Sequence, residues 1–292
     1  DGSPIAEAVT VGVNGAWSFT PTGLADGAHA VVASQTDAAG NTGTASLAFT
    51  LDTRAPVPIF TGVTLAGDMA TLTGTAGEAN ATISLYDGYS WIGWTTSGSD
   101  GNWSFTANAA PGTVHAYGPN ATDPAGNEGH GLNRAIVGSS NADTLSGSTG
   151  PDIILGNGGG DTITGGAGAD RLTGGSGKAT FVYNAASESS PSLFDTVTDF
   201  RHGDDSIDFT NIAGLNASGG VPQFQGDLSG TGNLALNPHS VAYLETGGHT
   251  EVLVNTTDAP EIVTAFDTHD ADMKIELVGI GLGLTGTDFH HL

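Results

Sequence analysis

Five glycines, Gly138, Gly147, Gly156, Gly165 and Gly174, stand nine residues apart, and so do four aspartates, Asp143, Asp152, Asp161 and Asp170. A third series, Leu145, Ile154, Ile163, Leu172 and Phe181, keeps the same period. The chemistry such spacing supports is the coordination of a hard cation. A carboxylate is a hard oxygen donor of the right charge for Ca2+. A glycine-rich turn can point backbone carbonyls at the same ion, because glycine tolerates positive φ. The first six residues of each unit therefore read as a tight turn with the carboxylate in sixth place. The last three read as a short strand whose eighth-position side chain enters a narrow core. Two units make one coil, so alternate loops face each other, Asp143 with Asp161 and Asp152 with Asp170. Carbonyls at the first and third positions complete the candidate ligand set: Gly138 and Ser140, Gly147 and Thr149, Gly156 and Gly158, Gly165 and Ala167, Gly174 and Ser176.

The units are not identical. Ser139 and Ser148 replace the second glycine, Asn141 replaces the fourth, and Pro151 precedes Asp152. In the fifth unit Ala179 stands where the aspartate belongs, next to Lys178, so the place shared by Asp161 and position 179 is expected to be deficient. Asp199 and Asp205 further along are additional candidate ligands. A flexible glycine-rich linker would not hold three residue types in phase over five units.

Composition agrees with this chemistry and removes others. Among 292 residues there are 46 Gly, no Cys, and 6 Lys+Arg against 31 Asp+Glu, for a formal net charge of -25. Phosphate neutralisation needs clusters of Lys and Arg, so nucleic acid is excluded as a partner, and an anionic membrane surface is disfavoured for the same reason. No apolar run is long enough for a transmembrane helix. Without cysteine there is no disulfide framework, thiol nucleophile or cysteine zinc site. The residues Asp1-Gly2-Ser3-Pro4 do not open a signal peptide. Neither H-E-x-x-H nor G-x-S-x-G occurs, so no catalytic residue is expected.

The nonapeptides resemble the calcium-binding β-roll of RTX (repeats in toxin) proteins. The segment Asp195-Thr196-Val197-Thr198-Asp199-Phe200-Arg201-His202-Gly203-Asp204-Asp205-Ser206-Ile207-Asp208-Phe209 is similar to the D-x-I-x-D-F-x-x-G-x-D-x-I-D-L stretch that follows the roll in serralysin-type secreted proteases. The stretches 271–279 and 287–289 fit the same domain, and the resemblance covers about residues 134–292. It implies an export module whose uncleaved carboxyl end is read by a type I secretion apparatus. The family's terminal acid followed by apolar residues is matched in part by Asp288-Phe289-His290-His291-Leu292.

The amino-terminal part repeats on a longer period. Residues 14–20 (NGAWSFT) recur as 100–106 (DGNWSFT), and 36–41 (TDAAGN) recur as 122–127 (TDPAGN), both offset by 86. Short alternating strands, as at 28–34 and 82–86, with Gly, Asn and Asp turns predict β-sandwich repeats. Asp1-Gly2 aligns with Asp87-Gly88, so the first copy is expected to lack its opening strands and the chain to continue a longer one. These repeats resemble the bacterial immunoglobulin-like repeats of large secreted adhesins over about residues 1–133. That resemblance implies interdomain calcium at Asp37, Asn41, Asp52, Asp123 and Asn127, residues whose types alone also suit turns. Alternation predicts Trp17 and Trp103 in the core. Tyr86, Tyr89, Trp91 and Trp94 fit either a sugar-stacking platform or scattered aromatics.

The expectation is thus an all-β chain: a partial immunoglobulin-like repeat (1–53), a complete one (54–133), a calcium-binding parallel β-roll (134–210), and a serralysin-type β region with a type I secretion signal (211–292). The leading function is the calcium-binding end of a secreted or cell-surface adhesin that meets a host or surface ligand or a polysaccharide. The alternatives are the non-catalytic tail of an RTX-secreted enzyme (protease, lipase or polysaccharide-modifying) and a carbohydrate-binding module built on Tyr89, Trp91 and Trp94.

Overall fold

The computed structural model describes residues 9–215, 223–229, 234–263, 268 and 271–290. Within these the chain is strands, turns and two short 3-10 segments, with no α-helix. It divides into two compact units, Asp1–Ala55 with Ala125–Asn127, and Pro56–Pro124 with Glu128–Leu292. The opening Asp1–Pro4 and the terminal His291–Leu292 lie outside the described residues.

Among its described residues the first unit contains one antiparallel hairpin, β1 (Gly27–Thr36) and β2 (Thr42–Leu51), paired along its whole length. Asp37 closes its turn. One carboxylate oxygen accepts from the backbone N–H of Ala39 and Asn41, and the other from the Asn41 side chain, each at 2.9 Å. Val32 and Leu47 on the hairpin are both exposed. Trp17, expected in a core, is 50% exposed. The pattern of the repeat is present, but a two-stranded sheet offers no opposing layer to bury the ring.

The second unit begins with a sandwich. One sheet holds β3 (Ile59–Ala66), β4 (Met69–Thr75) and β7 (Asn102–Asn108); the other holds β5 (Thr82–Asp87), β6 (Ser90–Thr96), β8 (His115–Thr122) and β9 (Glu128–His130). Alternating residues of both sheets meet in a core that includes Phe60, Leu72, Ile83, Leu85 and Tyr117. Trp103 lies there as expected, 4% exposed and edge-on to Phe60 at 5.4 Å between ring centres.

Next comes the parallel roll. Its first sheet is β10 (Ala135–Val137), β12 (Ile153–Leu155), β14 (Arg171–Thr173) and β16 (Asp195–Val197). Its second is β11 (Thr144–Ser146), β13 (Thr162–Thr164), β15 (Thr180–Val182) and β17 (Ser206–Asp208). The eighth-position side chains Leu145, Ile154, Ile163, Leu172 and Phe181 stack between the sheets, fully buried. Three-residue strands cannot stand alone; the backbone ladder to the neighbouring coil and this single-file core hold them.

Both ends of the roll are paired. At the first, β8 of the sandwich runs antiparallel to β10, Ile136 opposite Ala116, so one sheet passes unbroken from sandwich to roll. At the other, β18 (Gln223–Asp227), β19 (Leu234–Leu236), β20 (Ser240–Thr246), β21 (His249–Asn255), β22 (Glu261–Val263), β23 (Met273–Val278) and β24 (Phe289–His290) form the carboxyl region. There β23 extends the first roll sheet beyond β16, and β24 extends the second beyond β17.

Candidate metal centre

The sixth-position carboxylates form two ladders, one along each side of the roll. On one side Asp143 N–H donates to Asp161 Oδ1 at 2.9 Å. On the other, Arg134 N–H donates to Asp152 Oδ1, Asp152 N–H to Asp170 Oδ1 at 2.7 Å, and Asp170 N–H to Asp195 Oδ1 at 2.9 Å. Alternate loops are therefore neighbours, as the two-units-per-coil reading requires. Each buried carboxylate is held by the backbone of the coil before it.

The second carboxylate oxygen separates the loops. Asp143 Oδ2 accepts from the backbone N–H and the hydroxyl of Ser139, at 2.7 and 2.8 Å. Asp152 Oδ2 accepts from Ser148 N–H. Where serine gives way to Asn157 and Gly166 in the next loops, Asp161 Oδ2 and Asp170 Oδ2 are buried with no hydrogen-bond partner. Asp195 Oδ2 also makes no bond of normal geometry, though the buried Tyr183 hydroxyl lies close enough to Asp195 to stabilise its charge in part. A buried, unpaired carboxylate oxygen is costly. Burial first, then neighbouring carboxylates, pushes Asp170 up to about 7 and Asp195 up to about 8. Burial likewise raises Asp152, Asp161 and Asp205 above the ordinary carboxylate range. Arg134 acts on Asp152 and Arg201 on Asp205, whereas among the described residues no cation offsets the burial of Asp161, Asp170 and Asp195.

The glycines have two separate duties, and only one was anticipated. Positive φ occurs at the second and fourth places, as at Gly166 (96°) and Gly168 (133°). The first-place glycines do not need it; they are required by close approach. A Cβ on Gly147 would stand 2.1 Å from the Gly165 carbonyl oxygen and 2.4 Å from Asp152 Oδ2. One on Gly156 would meet Asp161 Oδ2 at 2.5 Å, and one on Gly165 would meet Asp170 Oδ2 at 2.3 Å. Gly138 is pressed on the Gly156 carbonyl in the same way, and Gly156 on that of Gly174. At Gly156 a first-place carbonyl, that of Gly174, and an open carboxylate oxygen, Asp161 Oδ2, thus converge on one glycine. The third-place residues lie at the turn ends: Gly158 is bridged to Ser176, Ala167 N–H donates to the Ser148 carbonyl at 3.3 Å, and Ser140 and Thr149 are exposed.

The fifth loop, with Ala179 in the aspartate's place, is built differently. Asp199 reaches back to it, accepting from Gly174 N–H at 2.8 Å and Gly175 N–H at 2.7 Å. Asp205 takes the next rung of the ladder, accepting from Ala179 N–H at 2.9 Å. The positive charge here is the chain's own: the Arg201 guanidinium donates to the Gly175 carbonyl and lies 3.9 Å from Asp199. Asp195 is a rung that the nonapeptide spacing does not supply. The segment between Gly174 and Asp195 is longer than a nonapeptide, so the period that finds the other rungs misses this one.

Away from the roll, Asp37 and Asn41 make a self-contained turn, and the Asn127 side chain donates to the Asp52 carbonyl at 3.1 Å within the first unit. Asp123 is buried in the second unit. At the carboxyl end Asp288 is also buried and accepts from His202 Nδ1 at 2.8 Å and Thr285 N–H at 2.7 Å. Phe289 beside it packs on Phe209 and Phe224.

Residues 132–289, more than half of the chain, match the Peptidase M10 serralysin C-terminal family, and the chain belongs to that family, a domain of RTX-type secreted proteins. Residues 1–53 match the bacterial Ig-like domain. No curated protein matches. Among solved structures, the solution structure of the AlgE6R3 subunit of the Azotobacter vinelandii mannuronan C5-epimerase is similar at 22% identity and a TM-score of 0.37, over 53% of this chain and 76% of that one. The AlgE6R2 subunit of the same epimerase is similar at 24% identity and a TM-score of 0.31, over 53% of this chain and 90% of that one.

Proposed function

We propose that residues 134–292 are a calcium-folded export module and that the immunoglobulin-like repeats before it, over 1–53 and 54–133, are the stalk of a secreted adhesin. The observation that carries the calcium reading is the set of buried, unpartnered oxygens of Asp161, Asp170 and Asp195 beside glycines that admit no Cβ. Calcium supplies the positive charge these oxygens lack. The chain's own residues do the rest: backbone N–H groups fix one oxygen of each carboxylate, glycines let the other approach a carbonyl, and the stacked apolar residues align successive loops. Asp161, Asp170 and Asp195, with the carbonyls of Gly156, Gly165 and Gly174, are the ligands of first choice. Asp143 and Asp152 are weaker, because serine already occupies their second oxygen.

Binding to the folded form alone stabilises it by mass action. Extracellular calcium sites are tuned to about 10⁻⁴–10⁻³ M. A producing cell holds far less free calcium, so the module stays unfolded for a type I channel and folds outside. The repeat of 86 residues favours the adhesin over the tail of a secreted enzyme, since a tandem array extends a stalk and does no chemistry. Circular dichroism of the calcium-free and calcium-loaded chain tests the module; the same β-sheet spectrum and melting curve in both states would refute it.

A further inference from the structure

One sheet of the sandwich turns Ile83, Leu85, Tyr117 and Ala121 into the core. Its other face carries side chains in rows set by the strand register. Trp94 lies opposite Ser84, Ser84 opposite Asn120, and Asn120 opposite His130. In the next row Trp91 lies opposite Tyr86, and Tyr86 opposite Gly118.

Trp91 and Trp94 are an odd number of residues apart, so strict alternation would send them to opposite faces. A β-bulge prevents this: the register shifts between Leu85 and Tyr86, leaving Ile92 as an extra residue and Gly93 opposite Leu85. Gly93 is required there. Its φ is 149°, and a Cβ would stand 2.7 Å from the Phe105 ring. The outcome is two indoles on one surface, 58% and 60% exposed, with fully exposed Tyr89 at the adjoining turn. Exposed apolar surface that is grouped, and not scattered singly, is the kind that marks interaction sites.

Beside the rows runs an open groove of about 560 Å³, lined among others by Tyr86, Tyr89, Gly118, Asn120, Leu132 and Arg134. A Cβ on Gly118 would touch nothing within 4 Å, so the floor of the groove is clear.

We propose that this face binds an uncharged polysaccharide, with pyranose rings stacked on Trp91 and Trp94 and hydroxyls bonded to Ser84, Asn120 and His130. A pyranose offers an apolar C–H face and a rim of hydroxyls, which matches indoles flanked by a row of short polar side chains. The rows are roughly 7 Å apart along the strands, the scale of one sugar ring. Charge bears on the choice of glycan. Ser84, Tyr86, Trp91, Trp94 and Asn120 carry no formal charge and so offer a uronate or sulfate no counter-charge. The chain as a whole carries -25, and Arg134, the single charged residue lining the groove, stands outside these rows. The site gives the proposed adhesin a target class, but it uses none of the calcium ligands.

The test uses the whole chain in calcium, with isothermal titration against laminarin and xyloglucan, retention on cellulose and chitin, and alginate as the anionic control. At least one neutral glycan should bind. Trp91→Ala and Trp94→Ala should each weaken binding about tenfold, the double variant should lose it, and Trp→Phe should keep part of it. These exposed positions should leave the melting temperature and the calcium titration unchanged, which separates failure here from failure of the calcium module. The proposal is overturned if no neutral glycan binds, if binding survives the double variant, or if alginate alone binds. It is also overturned if the tryptophans instead hold two copies of the chain together, seen as a dimer that the double variant abolishes.

Discussion

Removing calcium at two pH values tests the reading of the buried carboxylates most directly. Asp170 and Asp195 are pushed up to about 7 and about 8, from an ordinary value of 3.8. A carboxyl whose pKa is raised by folding contributes stability below its unfolded pKa and loses it as pH rises toward the folded one. At ~1.4 kcal/mol per unit, the two groups together cost the calcium-free fold roughly 3 kcal/mol at pH 5 and roughly 9 kcal/mol at pH 7.5. The larger figure is comparable to the whole stability of an ordinary domain, about 5–15 kcal/mol. The calcium-free chain should therefore melt roughly 12–24 °C lower at pH 7.5 than at pH 5, or be unfolded already. Saturating calcium should reverse the slope, because protons then compete with the ion. The assay is thermal melting by circular dichroism on protein stripped with a chelating resin. The Asp170→Asn, Asp195→Asn double variant is the control and should show a clearly smaller slope, the remainder coming from Asp152, Asp161 and Asp205. A calcium-free melting temperature that is equal at both pH values, or that rises with pH, would refute the reasoning.

Asp170→Asn should split two readouts, lowering calcium affinity while raising the melting temperature of the calcium-free chain at pH 7.5. Gly165→Ala should destabilise the calcium-loaded roll by about 1–3 kcal/mol, since its Cβ meets a carboxylate oxygen at 2.3 Å. Gly160→Ala, whose nearest neighbour is the Lys178 carbonyl at 3.4 Å, should be far milder in the same chemical denaturation. Arg201→Ala should free the Gly175 carbonyl and Asp199 and so raise calcium stoichiometry by titration; an unchanged ion count would mean the guanidinium does not stand in for a cation. Deleting 233–292 should keep the chain in the producing cell, whereas deleting 1–133 should still allow release into the medium.

The roll was legible because its chemistry is periodic: glycine, aspartate and an apolar residue each recur in a fixed slot, and the structure stacks Leu145 through Phe181 accordingly. Asp195 was hidden because the insertion before it breaks the period, although it is the next rung of the ladder that Asp152 and Asp170 begin. The role of Ser139 and Ser148 was hidden for another reason. A serine in a glycine slot reads as a lapse in the repeat, and only the geometry shows its hydroxyl and N–H saturating the carboxylate. Trp17 and Trp103 share one local pattern, yet burial depends on a second sheet that no local pattern contains. The bulge at Gly93 was invisible for a related reason, since alternation counts residues and a bulge changes the count.

The terminal Asp288 and Phe289 sit inside the folded domain, the carboxylate clasped by His202 and Thr285 and the ring wedged between Phe209 and Phe224. A receptor that reads this pair can do so only while the chain is unfolded. Folding and being addressed are then mutually exclusive states of the same residues. If the pair is the label of the proposed export module, pairing of β24 with β17 withdraws it, and a folded molecule could not be called back to the channel. On the proposed export reading, the closing step of the fold would act as a ratchet, giving passage out of the cell a direction.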